Sequence, residues 1–232
     1  MSLPLVSVVI PAWREADEIA AATRSALRIA DEVVVADAGS PDGTGAIAEA
    51  AGARVVNAPK GRGAQLAAGA RAARGDVLLF LHADVRLPPE ARDAIARALA
   101  DETVAGGNFF LRFVPETRAA RLFTWANDAR RRWLGIYYGD SGIFVRRSVY
   151  ASLGGIRDLP IFEDYEFVRR LERSHRTAYV RDVVARASAR RFERAPISTL
   201  LTWTLLQLGY SLGVSADALA KFYRDIRRAG GR

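Results

Sequence analysis

Apolar residues in the first half of the chain come in short continuous runs, separated by stretches with helical spacing. The run "LVSVVI" (5–10) predicts a strand, and the apolar spacing from about Asp17 to Ile29 predicts a helix. "EVVVADAG" (32–39) reads as a second strand, "DGTGAIAEAAG" (42–52) as a helix closed by Gly52, and "RVVNA" (54–58) as a third strand. A helix over 63–74, stopped by Gly75, leads to a fourth strand at "DVLLFL" (76–81). Pro88 and Pro89 then open a helix that reaches about Leu99. Strand and helix alternating at this spacing predict right-handed crossovers and an α/β fold with a mostly parallel, twisted sheet. Strands that are apolar throughout predict a sheet with helices on both faces.

Beyond Val104 the texture changes. "VAGGNFFLRFV" predicts a longer strand and Arg118 to Trp133 an amphipathic helix. "GIFVRRSVYASLGG" reads as strand, helix and glycine turn, and "EDYEFVRRLERS" as a second amphipathic helix. One domain over 1–232 is expected: a ligand-binding half (1–103), a half that extends the sheet and walls a pocket (104–195) and C-terminal helices (196–232). The segment 196–216 has no charged residue. Its length approaches a membrane span, but its Ser, Thr, Gln and Gly content argues against one. A helix buried in the fold or in a homodimer interface is the favoured reading. Peripheral membrane contact, helped by the basic tail, is the alternative.

The chain lacks cysteine, which excludes disulfides, thiolate metal sites and cysteine nucleophiles. No secretory leader is expected, since Leu5–Ile10 already reads as a core strand; the expected location is cytoplasmic, with membrane-peripheral left open. The net charge of +8 comes almost entirely from arginine, Lys60 and Lys221 being the two lysines. Nucleic acid, an anionic small substrate and an acidic membrane surface compete as targets, but the arginines are spread along the whole chain, most read as solvated surface, and charge alone selects none of the three; no nucleic-acid partner is expected.

Ligands of open α/β sheets bind outside the carboxyl ends of the strands. The polar residues at those ends are Pro11 to Glu15, Asp37 to Ser40, Lys60-Gly61, and His82 with Asp84. Singly, each also suits a turn or a helix cap. Together they crowd one edge. The ordered set "VSVVIPAWREADEI", "EVVVADAGSPDGT", "KGRGAQLAAGARAARGDVLLFLHADV" and "GG…FEDYEFVRRL" resembles the family 2 glycosyltransferases with the GT-A fold. The resemblance runs from about Val6 to at least Arg191. It implies a nucleoside-diphosphate sugar donor, usually a uridine one, a hydroxyl acceptor, and a divalent metal, Mn²⁺ or Mg²⁺.

The resemblance also assigns residues. "HAD" is similar to an Asp-x-Asp motif whose first aspartate has become His82. Asp84 is then the metal ligand, and His82 touches nucleotide or metal more weakly. Pro11 and Glu15 flank the nucleotide, Asp37 accepts from the base edge, and Lys60 and Gly61 lie near the nucleotide. The Gln-x-x-Arg-Trp motif of processive members is missing, which argues against a polymer synthase. Arg190 or Arg191 of "SARRF" would replace its arginine at the diphosphate.

Moving a sugar onto a hydroxyl by direct displacement inverts the anomeric carbon and needs one carboxylate to take the acceptor proton. "FED", just before an amphipathic helix, resembles the family's Glu-Asp motif, which implies Asp164 as the base beside Glu163, with helix capping as its bland alternative; Asp140 is the second candidate. Trp13, Tyr137 and Tyr138 offer aromatic faces for a sugar, or core packing. At finer grain, "LHAD", "YYGDSGIF" and "ARRFE" resemble a small bacterial branch associated with radical-SAM partners and arsenosugar biosynthesis, which implies a small-molecule acceptor. Three other readings stay open. A nucleotidyltransferase would want a glycine-rich loop after strand one, which "PAWREADE" is not. The others are an arginine-rich membrane-surface or nucleic-acid binder and a catalytically degenerate nucleotide-binding homologue.

Overall fold

A computed structural model describes residues 4–189 and 196–229, with side chains as far as 223. Its centre is an eight-stranded sheet. The first four strands in space are parallel: β3 (Arg54–Asn57), β2 (Glu32–Asp37), β1 (Val6–Ala12) and β4 (Val77–Phe80). β7 (Ile143–Arg146) then runs antiparallel to β4, followed by β6 (Val104–Val114), β8 (Arg176–Ser188) and the short β5 (Val85–Arg86). The parallel expectation thus describes the first half, and the second half adds strands of mixed direction. β8 was not among the predicted elements. Arginines interrupt its alternation, and its pairing with β6 shifts register between Phe109 and Phe110.

Side-chain alternation along the strands explains why helices cover both faces. Val6, Val8 and Ile10 point to one side, where they meet α1 (Ala16–Leu27), α2 (Thr44–Ala50), α4 (Ala91–Leu99) and α5 (Arg118–Leu134). Val9, Leu78 and Phe80 point to the other, toward α3 (Arg62–Ala72), α6 (Arg147–Ser152) and α7 (Glu163–Ser174). Gly69 lets α3 lie close on β1: a Cβ there would stand 2.4 Å from Val9 Cγ1. One consequence bears on the site. α3 and α7 lie on the same face and begin near the same edge of the sheet, so their first turns meet.

Of the segment 196–216, expected to be buried in the fold or in a homodimer interface, only part is buried within the fold. It forms α8 (Pro196–Ser211), which turns at Gly213 into α9 (Ala216–Ala229). Leu206 is buried, while Ile197, Leu201, Leu205 and Leu208 are exposed on an outer stripe. The helix has apolar residues all round, and among the described residues only the sides facing α5, α7 and α9 find partners. Among the described residues, no helix is long and apolar enough to cross a membrane.

At the opposite end of the strands, Glu32 ties three segments together. It accepts from Ser7 Oγ (2.5 Å) and the Arg74 N–H, and faces Arg54 at 3.1 Å. Burial raises its pKa, but these donors outweigh burial and hold the carboxyl below its ordinary 4.5. The stabilisation is therefore present above about that pH and is lost as pH falls through the folded value. Glu32→Gln is expected to cost about 1–3 kcal/mol near neutrality. The gap to the unsubstituted protein should shrink in acid, as denaturant unfolding at several pH values would show.

Candidate active site

The loop after β1 is pinned to the loop after β2. Arg14, at φ 56°, donates its N–H to Ser40 Oγ (3.0 Å), and the Glu15 N–H reaches Thr44 Oγ1 (2.9 Å). Asp42 accepts from Thr44 Oγ (2.6 Å) and from the Ala16 N–H (3.3 Å), linking the starts of α2 and α1. Beneath them the buried Gln65 amide donates to Ala12 O (2.6 Å) and Ala36 O (3.0 Å), bridging the ends of β1 and β2. After β4 the chain turns, with the Val85 N–H on His82 O at 3.1 Å. Leu81, Ala83, Val85 and Leu87 are buried, while His82, Asp84 and Arg86 on the other side are partly open. Arg86 anchors this turn to α1 through Glu18 (2.9 Å).

A cavity of about 510 Å³ opens there, lined by Pro11, Trp13, Glu15, Gln65, His82 and Asp84 among others. A second cavity of about 180 Å³ is lined by Asn127, Arg130, Tyr138, Asp140, Asp164 and Trp203. Arg62 and His82 border both, so the two spaces meet across these side chains.

Asp164 lies in the first turn of α7, where backbone N–H groups favour negative charge. It does not cap the helix; Phe162 holds the cap position in left-handed backbone at φ 64°. The Asp164 carboxylate instead accepts from Gly139 N–H (2.8 Å) and Tyr165 N–H (2.7 Å) and is 4% exposed. A Cβ at Gly139 would stand 2.6 Å from His82 Nε2 and 3.3 Å from Asp164 Oδ2. Glycine here lets the histidine, the aspartate and the 139–141 turn close together.

Glu163, next along, lines neither cavity. It is 1% exposed and ion-paired with Arg62 at the start of α3. Burial raises its pKa above the ordinary 4.5, ahead of lowering by Arg62 and further raising by Asp164. On the arginine, burial opposes the charge, but Glu163, Asp164 and Asp140 outweigh it and raise the pKa. Arg62 thus stands among three carboxylates where the cavities meet.

The structure brings together Pro11, Glu15, His82 and Asp84 around the larger cavity, and His82, Asp140 and Asp164 around the smaller. Asp37 lines neither; its oxygens hold Ser40 Oγ (2.5 Å) and Ser40 N–H (2.9 Å). Lys60 stacks 3.9 Å above Trp13, which does line the larger cavity, and Gly61 precedes α3. Tyr138 faces the smaller cavity, while Tyr137 is 3% exposed under Arg131. Arg190 and Arg191 lie outside the described residues. Sequence reasoning missed Arg62, Gln65, Asn127 and Arg130. Arg62 and Gln65 carried a signal, since they follow Lys60-Gly61 at the same sheet edge. Arg130 carried none, being one arginine among several on α5.

Among the described residues no cluster of three or more His, Asp or Glu side chains could by itself hold a metal ion. Asp84 and His82 do fit a cation shared with a bound diphosphate, because small hard cations commonly take one or two carboxylates and complete their shell with phosphate and water. Asp84 makes no hydrogen bond or ion pair with other described residues, so its carboxylate is available.

A family model described as glycosyl transferase family 2 matches residues 7–153. The chain belongs to this family. Solved structures with the same arrangement as this family 2 chain include a mycobacterial protein, 25% identical with a TM-score of 0.57, the match covering 80% of this chain and 65% of that one. Glucosyl-3-phosphoglycerate synthase from Mycobacterium tuberculosis, in complex with Mn²⁺, UDP and phosphoglyceric acid, is 22% identical with a TM-score of 0.55, covering 80% and 69%. Mannosyl-3-phosphoglycerate synthase from Rubrobacter xylanophilus is 18% identical with a TM-score of 0.55, covering 91% and 76%. These likenesses establish the GT-A-like fold of this family 2 chain, which spans about two thirds of the length of the first of them.

Proposed function

We propose that the protein is a metal-dependent, inverting glycosyltransferase that moves a sugar from a nucleoside diphosphate, with uridine favoured, to a hydroxyl of a small acceptor. The observation that carries this reading is the pair of cavities meeting at Arg62 and His82, with Asp84 in one and Asp164 in the other. The Mn²⁺ and UDP bound by the mycobacterial synthase of the same fold support the donor and metal assignment.

In this reading the nucleotide occupies the larger cavity, beside Pro11, Trp13 and Glu15. Asp84, assisted by His82, would hold the cation, which when bound offsets charge on the departing diphosphate. The acceptor hydroxyl lies in the smaller cavity against Asp164. Its oxygen attacks the anomeric carbon from the face opposite the diphosphate, and its proton passes to an Asp164 oxygen. The bond from the anomeric carbon to the phosphate oxygen breaks, and the electron pair leaves with the nucleoside diphosphate. Arg62 places a positive charge where that negative charge grows. Glu163 acts through Arg62 and is a positioning residue. The acceptor cavity, at about 180 Å³, is smaller than the 300–1,000 Å³ usual for drug-sized ligands, which favours a small acceptor over a glycan chain.

Calorimetry with UDP, GDP and ADP, each with and without Mn²⁺, tests the donor half. UDP should bind in a Mn²⁺-dependent manner and at least tenfold tighter than ADP. Failure of every nucleoside diphosphate to bind with metal dependence would reject the reading.

A further inference from the structure

Two arginines line the smaller cavity, Arg62 and Arg130, and of these Arg130 has no carboxylate partner among the described residues. Arg62, Arg131 and Arg170 each face a carboxylate, from Glu163, Glu172 and Glu166. Arg130 lines the smaller cavity, yet its hydrogen-bond partners among the described residues are neutral: Gln207 Oε1 at 3.2 Å and Asn127 Oδ1 at 2.9 Å. Its Nε is buried without a hydrogen-bond partner, and no carboxylate among the described residues comes within ion-pair distance. The guanidinium also lies over the Tyr138 ring, 5.5 Å from its centre.

Its neighbours fix it in place. Gln207 Oε1 also accepts from Tyr138 OH (2.5 Å), and the Asn127 amide donates to Phe123 O (2.8 Å), which turns its oxygen toward Arg130. A cation removed from bulk water is costly unless an anion meets it, and a guanidinium presents a planar fork suited to carboxylate or phosphate. A pre-positioned arginine with neutral partners, facing a cavity, has its anion supplied by the ligand. Of the other walls, Tyr138, Trp203, Tyr223 and Phe162 suit the body of a small molecule, while Asp140 and Asp164 line the same cavity and leave the guanidinium of Arg130 as the place for a negative group.

We infer that the acceptor is a small hydroxylated molecule carrying a carboxylate or phosphate, and that Arg130 is the side chain that binds this group. The assignment of the cavity to the acceptor rests on the transferase reading; the anion preference of Arg130 does not. It is also separate from the donor, because Arg130 borders only the cavity that excludes Asp84, Pro11 and Glu15.

The test uses the full chain, with benzoate, its neutral isostere benzamide and inorganic phosphate as probes. Binding is followed by the indole N–H resonance of Trp203, assigned through Trp203→Phe, with and without UDP and Mn²⁺. Benzoate and phosphate should each shift this resonance saturably, and benzoate should bind at least tenfold tighter than benzamide. Arg130→Gln should reduce benzoate to the level of benzamide while leaving Mn²⁺-dependent UDP affinity within about twofold. Equal affinities for benzoate and benzamide, or no response to either anion at tens of millimolar, would overturn the inference. So would an equal loss of UDP affinity in Arg130→Gln, which would assign the arginine to the donor. A purely structural arginine would lower the melting temperature on substitution without a charge-selective loss. If the unsubstituted protein fails to bind UDP with Mn²⁺, the transferase reading falls. The benzoate–benzamide comparison in nucleotide-free protein still decides the role of Arg130.

Discussion

Asp164→Asn is expected to lower sugar transfer by about 10²–10⁴-fold, the usual contribution of a positioned general base. Mn²⁺-dependent UDP affinity should stay within about twofold. The amide has the shape of the carboxylate, and its oxygen can still accept from the Gly139 N–H that Asp164 holds at 2.8 Å. The 139–141 turn and His82 beside it should therefore keep their places. With Gly139 kept, the variant loses the capacity to take a proton and the second oxygen, which accepts from Tyr165 N–H at 2.7 Å. Steady-state kinetics against calorimetry separates the two effects: loss of kcat with retained UDP binding identifies the base. Retained transfer would move the role to Asp140, which lines the same cavity. Retained transfer in an Asp140→Asn, Asp164→Asn double variant would exclude both.

Asp84→Asn is expected to abolish the metal dependence of UDP binding, weakening the ternary complex by about 10²–10³-fold, in line with the several kcal/mol a bound cation contributes. The fold should be indifferent, because Asp84 makes no hydrogen bond or ion pair with other described residues. The melting temperature of the ligand-free protein should change by no more than about 2 °C, since surface substitutions away from special features stay within about 0.5 kcal/mol. His82 cannot compensate, as a neutral imidazole brings no negative charge to the site. If UDP affinity in Asp84→Asn still rises with Mn²⁺ as in the unsubstituted protein, the metal assignment fails. The reciprocal variant His82→Asp would then show whether position 82 carries it.

Much of the placement of this site is legible in the sequence. Continuous apolar runs alternating with helical spacing placed the parallel strands, and polar residues at their carboxyl ends marked one edge. The order of motifs singled out Asp84 and Asp164, which line the two adjoining cavities. The roles of Asp37 and Glu163 were less legible, because a carboxylate at a strand or helix end has several possible partners nearby. In the structure Asp37 holds its own turn through Ser40, and Glu163 holds Arg62. β8 escaped because local alternation fails where arginines face outward at every few positions and a register shift interrupts the pairing.

The sequence by itself determined most of the strands and helices, β8 excepted, because hydrophobic period is a local property of the chain. It also determined that acidic residues follow the fourth strand and open the seventh helix. Only the tertiary structure decided their company. Arg62 meets Glu163 across 101 positions, Arg130 meets Gln207 across 77, and Gly139 meets Asp164 across 25. Such partners follow from strand order and from which face each helix covers, and these are settled by packing over the whole sheet. A carboxylate's type can be read along the chain. Whether it meets an arginine, a backbone N–H or an open cavity depends on neighbours that the chain brings from far away.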